Sequence, residues 1–206
     1  MDYQYWNDYY TKELAPKKPS QFAIDIMKYL EKDKKMVELG CGNGRDSIFF
    51  SENGINVLAI DQSDKSIDLL KSSCKNDKIE FIADDFIRTS ILNNETFDYV
   101  YSRFTIHSIL EEEEDILIKK VYNSLKPKGL FFIEVRSIKD DIYGLGLKVG
   151  RNTYIYNEHR RRFIVMEELV EKLKSLGFNI VFEKESDNYA VYKDQNPIII
   201  RVIGRK

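Results

Sequence analysis

Residues 36–47, MVELGCGNGRDS, constrain the fold more than any other stretch of this chain. Met36, Val37 and Leu39 form a short apolar run with Glu38 near its end. Gly40, Gly42 and Gly44 follow at alternate positions, and a segment with helical spacing comes next. Glycine has no Cβ and tolerates φ > 0, so a strand–glycine loop–helix unit brings backbone amides close to a ligand. The N-terminus of the helix favours a negative group such as a carboxylate or phosphate. Glu38 suits the opposite, a cationic or hydroxyl-rich group. A ligand carrying both a carboxylate and an ammonium satisfies the pair.

The glycine spacing narrows the type of loop. A dinucleotide turn has G-x-G-x-x-G. Here the third glycine falls one residue early, at Gly44, and Arg45 stands in the usual third place. The G-x-x-x-x-G-K-[ST] of a P-loop is not supplied.

Strand and helix patterns alternate from about residue 20. The spacing predicts helices over 20–31, 47–51, 64–74, 111–125 and 165–176. It predicts strands over 36–39, 56–60, 79–83, 97–102, 130–135, 178–185 and 197–203. On the 111–125 helix, Ile116, Val121 and Leu125 are expected inward. Apolar strands joined by helices indicate a parallel sheet covered on both faces. Residues 137–162 break the pattern with glycines, tyrosines and a basic cluster, and read as an insertion or substrate lid. With 206 residues, the expectation is one domain, 1–206, with a proper core. The run Glu111–Asp115 reads as a solvated helix start, where acidic charge suits the helix dipole.

In an open α/β sheet, ligands bind beyond the carboxyl ends of the strands. Asp61 ends the second strand, where a carboxylate can accept both hydrogen bonds of a ribose diol. Gln62 follows it and joins the candidate set. The other reading of Asp61 is a cap for the next helix, a role for which Asp64 is better placed.

The pattern E-L-G-C-G-N-G resembles the first motif of class I S-adenosylmethionine-dependent methyltransferases. The resemblance covers about residues 20–136, and extends to the C-terminal strands. It includes Asp61, the segment E-F-I-A-D-D-F and L-K-P-K-G-L before the fifth strand. S-R-F-T-I-H-S and G-N-G-R-D-S are also similar to bacterial small-molecule methyltransferases, including tellurite-resistance and sugar-modifying relatives.

The resemblance implies a Rossmann-like α/β fold: seven strands, mostly parallel, the last antiparallel, with helices on both faces. It implies S-adenosyl-L-methionine as cofactor and S-adenosyl-L-homocysteine as product. The implied cofactor set is Glu38, Gly40, Cys41, Gly42, Asn43, Gly44, Arg45, Asp61, Gln62, Asp84, Asp85, Phe86 and Ser102. Asp85 takes the adenine-amine position, with Asp84 as the alternative, and Phe86 follows it. Ser102 offers its main-chain carbonyl to the methionine ammonium. Cys41 reads as a small buried thiol within the loop.

The acceptor side rests on other residues. His107, five residues after the fourth strand, is placed as a candidate general base. Arg103 and Arg136 sit at strand ends. Tyr156, His159, Arg160 and Arg162 lie in the 137–162 segment, where arginines can grip phosphate or carboxylate. The N-terminal stretch 1–19 holds Tyr3, Tyr5, Trp6, Tyr9 and Tyr10 and reads as an aromatic lid, with Tyr9 and Tyr10 as contacts.

These residues point to O-methylation of a small, polar, anionic metabolite: a sugar nucleotide, a sugar acid or a capsule precursor. N-methylation, a protein acceptor and a non-catalytic cofactor-binding module are the alternatives. The net charge of −2 and the lack of [D/N]-P-P-[Y/F] after the fourth strand argue against nucleic-acid methylation. No apolar run reaches the roughly 18 residues of a membrane span. Cys41 and Cys74 belong to no metal-binding cluster, so no metal is expected. The composition fits a reduced cytoplasmic enzyme, monomeric or homodimeric.

Overall fold

The computed structural model describes residues 16–206. Ser20 caps the first helix, its Oγ accepting from Ala23 N at 3.0 Å, so α1 runs Gln21–Ile26. Phe22, Ala23 and Ile26 are its buried face. The helix does not reach Glu31 as the spacing predicts. A 3-10 turn, Met27–Tyr29, ends it, Leu30 is extended, and Glu31 N donates instead to the Tyr99 hydroxyl at 3.1 Å.

The chain then alternates: β1 Lys35–Leu39, α2 Arg45–Glu52, β2 Asn56–Asp61, α3 Asp64–Ser73, β3 Ile79–Ala83 and β4 Phe97–Arg103. It continues with α4 Glu111–Ser124 and β5 Leu125–Arg136. After the segment that follows β5 come α5 Met166–Ser175, β9 Asn179–Ser186 and β10 Ile199–Arg205. The main sheet has the order β3-β2-β1-β4-β5-β10-β9. Only β10 runs antiparallel to its neighbours. The seven-stranded architecture is the one the resemblance implies.

The pleat divides the core in two. Val37, Leu39, Val100, Phe131 and Ile133 face α4 and α5, against Leu117, Ile118, Val121, Leu169 and Leu173. Met36, Tyr99, Tyr101 and Phe132 face α1 to α3, against Phe22, Phe50 and Ile67. Each such side chain contributes about 1.5–3 kcal/mol of burial. Two local expectations need correction. Ile116 is exposed, because α4 turns Leu117 and Ile118 to the sheet. Ser63, not Asp64, caps α3, accepting from Ser66 N.

The 137–162 segment is more regular than its periodicity shows. It holds a three-stranded antiparallel sheet: β6 Leu147–Gly150, β7 Thr153–Tyr156 and β8 His159–Arg162, in that order. Asn157 and Glu158, both at positive φ, make the two-residue turn between β7 and β8. Tyr143, Tyr154 and Phe163 stack edge to face as a small core of their own. No described helix is long and apolar enough to cross a membrane.

Candidate functional site

The glycine loop leaves β1 at the carboxyl edge. Gly40 N and Cys41 N both donate to Ile60 O, at 2.8 and 2.9 Å, which straps the loop to β2. Gly40 has φ +73°, and a Cβ there would sit 2.2 Å from Thr105 Cγ2. Gly44, at φ +72°, begins α2 where a Cβ would meet Leu70 at 2.7 Å. The early third glycine thus has a steric reason, and Arg45 opens the helix.

Asp61 closes the loop from the next strand. Its Oδ2 accepts from Gly42 N at 2.7 Å and its Oδ1 from Ser63 N at 2.9 Å. Burial raises its pKa against the pull of these bonds. Beside it, Gln62 Nε2 is buried with no hydrogen-bond partner among the described residues. A buried orphan donor is uncommon unless a ligand supplies the acceptor. Asp84 N donates to Asp61 O at 3.0 Å, which brings the β3 end alongside. Asp84 and Asp85 are half-buried there: Asp84 accepts from Asp85 N and Asp85 from Ile87 N. Phe86 is buried, and its ring lies 3.7 Å from where a Gly40 Cβ would be.

Glu38 is buried under the loop and accepts from Ser47 Oγ. Burial, then the charge of Asp46, pushes its pKa well above the usual carboxylate value. Asp46 itself takes Ser20 N at 2.6 Å, Ser20 Oγ at 2.7 Å and the Tyr101 hydroxyl at 2.9 Å. Asn43 Nδ2 donates to Pro16 O and Arg45 Nη1 to Lys18 O, so both side chains hold the chain that enters α1. Burial raises the Cys41 thiol well above its usual value, which keeps it inert. Ser102 is buried, its Oγ 2.5 Å from Thr105 Oγ1.

The ends of β4 and β5 are built differently. Arg103 Nε lies 2.8 Å from Glu134, its cross-strand partner, and its guanidinium lies 4.2 Å over the Phe104 ring. Glu134 also accepts from Arg201 Nε at 2.7 Å, and Arg201 reaches Asp25 at 2.7 Å. Arg136 pairs with Asp140 at 2.8 Å. Arg162 pairs with Glu114, which also holds Lys172 at 2.5 Å. His107 sits in a 3-10 turn, Ile106–Ser108, buried, with Nδ1 accepting from Arg136 N at 3.4 Å. Burial, then the charges of Arg136, His159, Arg161 and Arg162, holds its pKa well below 6.5.

A family profile described as a methyltransferase domain matches residues 36–129, the stretch from β1 into β5. The carboxy-S-adenosyl-L-methionine synthase of Nautilia profundicola is 25% identical over 176 residues, 75% of this chain and 74% of that one. An S-adenosylmethionine-dependent methyltransferase from Methanosarcina mazei superposes with a TM-score of 0.76 at 18% identity, covering 88% of this chain and 96% of that one. The methyltransferase-domain match and the shared fold support a class I S-adenosylmethionine-dependent methyltransferase. Another neighbour, the 1,6-didemethyltoxoflavin-N1-methyltransferase of Burkholderia thailandensis, was crystallised with S-adenosylhomocysteine. It has a TM-score of 0.69 at 18% identity, over 100% of this chain and 84% of that one.

For this methyltransferase, the cofactor is S-adenosylmethionine. The residues at the β1, β2 and β3 ends fit it: a loop closed to any Cβ at Gly40, a buried carboxylate at Asp61 and an orphan amide at Gln62. The structure brings Glu38, the 40–45 loop, Asp61, Gln62, Asp84, Asp85, Phe86 and Ser102 to one sheet edge. The arginines are a different matter. Arg103, Arg136 and Arg162, expected to grip an anion, each spend the guanidinium on an internal carboxylate. An arginine buried without a counter-charge costs several kcal/mol, and the chain supplies one each time. Glu114, expected in a solvated run, is buried for the same reason. Arg160 and Tyr156 are half-buried on the small sheet, and His159 is buried opposite Tyr156. Tyr9 and Tyr10 lie outside the described residues. Sequence reasoning missed Thr105 and Asp46, and left the facing of Glu134 to the strand register, which pairs it with Arg103 and Arg201. Thr105 abuts Gly40 and Asp46 holds Ser20 and Tyr101; both lie within the segments S-R-F-T-I-H-S and G-N-G-R-D-S, but their contacts come from distant parts of the chain.

Proposed function

We propose that this methyltransferase transfers a methyl group to an oxygen of a small, polar, anionic metabolite such as a sugar nucleotide, a sugar acid or a polysaccharide precursor. The observation that supports this reading is the set of basic side chains, Arg136, Arg161 and Arg162, near the buried His107 at the ends of β4 and β5. The charges of Arg136, His159, Arg161 and Arg162 act on the ring from there, and they disfavour a cationic acceptor.

On this reading, Asp61 and Gln62 hold the ribose, and Asp85 or Asp84 with Phe86 holds the adenine. Glu38 and the Ser102 carbonyl take the ammonium, and the loop Gly40–Arg45, with Cys41 and Asn43, closes over the carboxylate end. When bound, S-adenosylmethionine supplies an electrophilic methyl group, and the residues here contribute mainly positioning. Residues 137–162, with Tyr156, His159 and Arg160, bound the acceptor site within one domain. Both cysteines are free, which suits a reducing, cytoplasmic setting.

The test is an acceptor screen with methyl-labelled cofactor over nucleotide sugars, sugar acids, small phosphates, amines and peptides. Label on an acidic small molecule supports the reading. Label confined to amines or peptides overturns it. Calorimetry with S-adenosylhomocysteine and with NAD separates the donor from a redox cofactor.

A further inference from the structure

We propose that His107 serves as a neutral hydrogen-bond donor through Nε2–H, held by Arg162, so that the acceptor must arrive as an oxygen acid already ionised. This deepens the methyl-transfer reading above and rests on it. It also departs from the general-base role that the position of His107 in the sequence leads one to expect.

A neutral imidazole has one donor nitrogen and one acceptor nitrogen. In His107 the acceptor is Nδ1, which takes the backbone N–H of Arg136 at 3.4 Å. The ring proton is therefore on Nε2, where it can be given to a ligand but where no second proton can be taken. No described residue hydrogen-bonds Nε2. Protonation at Nδ1 would oppose two N–H groups and place a cation in a buried spot. Arg136 of β5 and His159, Arg161 and Arg162 of β8 lie close enough for their charges to act on the ring. The nearby carboxylates are taken: Asp140 by Arg136, and Glu114 by Arg162 and Lys172. On its own loop, the ring meets only the Phe104 face, 5.1 Å away.

Arg162 fixes this geometry. Its Nε donates to Ile109 O at 3.2 Å and its Nη2 to Ile106 O at 3.5 Å, the carbonyls on either side of the His107 turn. Glu114 of α4 and Lys172 of α5 lock the guanidinium behind it. The third strand of the small sheet is thus a buttress for the turn. Phe104, at φ +60°, marks where the chain leaves β4 under backbone strain to form that turn.

The chemistry selects the acceptor. A sugar hydroxyl needs a base as it is methylated, and this ring has no free lone pair at Nε2. A carboxylate or a similarly delocalised oxyanion needs none. One of its oxygens accepts from Nε2–H while the other forms the new O–CH3 bond. The C–S bond breaks, its electron pair stays on sulfur, and no proton moves. Sugar acids and related carboxylates are therefore the substrate class, ahead of neutral sugar hydroxyls.

The experiment is ¹⁵N NMR of the full chain labelled at histidine, which has only two residues to assign, with His107→Gln as the assignment control. The expected result is His107 in the Nε2–H tautomer with a titration midpoint well below 6.5. A Nδ1–H tautomer, or a titration midpoint near 6.5, overturns the proposal. Arg162→Met is expected to move the His107 midpoint up towards 6.5, and Arg162→Lys to restore most of the depression. A purely structural arginine would lower the melting temperature and leave that midpoint unmoved. If Arg162→Met does not fold, Arg162→Lys and Glu114→Gln give the same reading by smaller shifts. With a carboxylate acceptor from the screen, His107→Gln, which keeps a donor, should hold turnover within about tenfold. A loss of about 10²–10⁴-fold would indicate a base and overturn the proposal. The tautomer is read without any acceptor, so it fails or stands separately from the screen.

Discussion

The two halves of the sheet edge treat buried polar groups in opposite ways. At the ends of β1 and β2, Glu38 and Asp61 are buried with raised pKa values, and Gln62 has an orphan donor. At the ends of β4 and β5, Arg103, Arg136 and Arg162 each meet an internal carboxylate. The first half carries unspent electrostatic demand, which a zwitterionic, hydroxyl-rich ligand relieves. The second half has spent most of its charge on holding loops in place. Functional sites are where such strain is expected to be kept. An arginine near a pocket is therefore weak testimony for an anion until its partner is known.

The largest effect should come from the loop itself. Gly40→Ala places a Cβ against Thr105 at a left-handed φ and should destabilise the fold by about 3 kcal/mol. It should also abolish S-adenosylhomocysteine binding by calorimetry. Adding Thr105→Ser, which removes the clashing methyl, should recover part of the stability; no recovery would break the steric account.

Next is Arg162→Met, which leaves Glu114 with Lys172 alone. We expect a loss of about 2–3 kcal/mol in thermal or denaturant unfolding, with S-adenosylhomocysteine affinity unchanged. A large drop in cofactor affinity would erase the contrast between the two halves.

Asp61→Asn should do the reverse. It should weaken S-adenosylhomocysteine by about thirtyfold, or about 2 kcal/mol, with a smaller change in unfolding stability, because relief of a buried charge offsets the one backbone N–H left without an acceptor. The raised pKa of Asp61 means that its charge is unfavourable in the folded, ligand-free protein.

Glu38 has a pH signature. Its folded pKa is raised, so above pH ~4.5 the folded state keeps a proton that the unfolded state has lost. Stability should fall as pH rises through that window. Glu38→Gln removes the dependence, and at pH 8 it should be the more stable protein by about 1 kcal/mol. Equal slopes of stability against pH in the two proteins would contradict this.

The smallest effect is at His107, whose folded pKa is depressed. Below pH ~6.5 the unfolded state takes a proton that the folded state refuses, so stability falls as pH drops. His107→Gln should lose less between pH 7 and 5.5, by about 1 kcal/mol, in matched denaturation curves.

The cofactor half was largely readable from the chain. Its determinants are local: three glycines in five residues, Glu38 just before them and Asp61 at the end of the next strand. Parallel pairing of β1 and β2 then brings Asp61 against Gly42 almost by necessity. The acceptor half was not readable. The partners there are far apart in sequence: 31 residues for Arg103 and Glu134, 48 for Arg162 and Glu114, and 67 for Arg201 and Glu134. Arg136 and Asp140 are close in sequence, yet their pairing depends on how the chain turns after β5. The small sheet hid for a related reason. Its strands are four residues long and β6 is exposed throughout, so they show no alternation. The inward face of α4 was misjudged at Ile116 because five acidic residues precede it, and one of them, Glu114, turns inward.

By itself, the sequence determined the sheet's parallel core, the glycine loop and the methyl donor, because those depend on neighbours within one strand–loop–helix unit. Only the tertiary structure decided which charges are paired internally and which nitrogen of His107 meets the Arg136 backbone N–H. Those depend on what the folded chain packs against each group, and the partners of a buried charge come from segments that local sequence cannot relate.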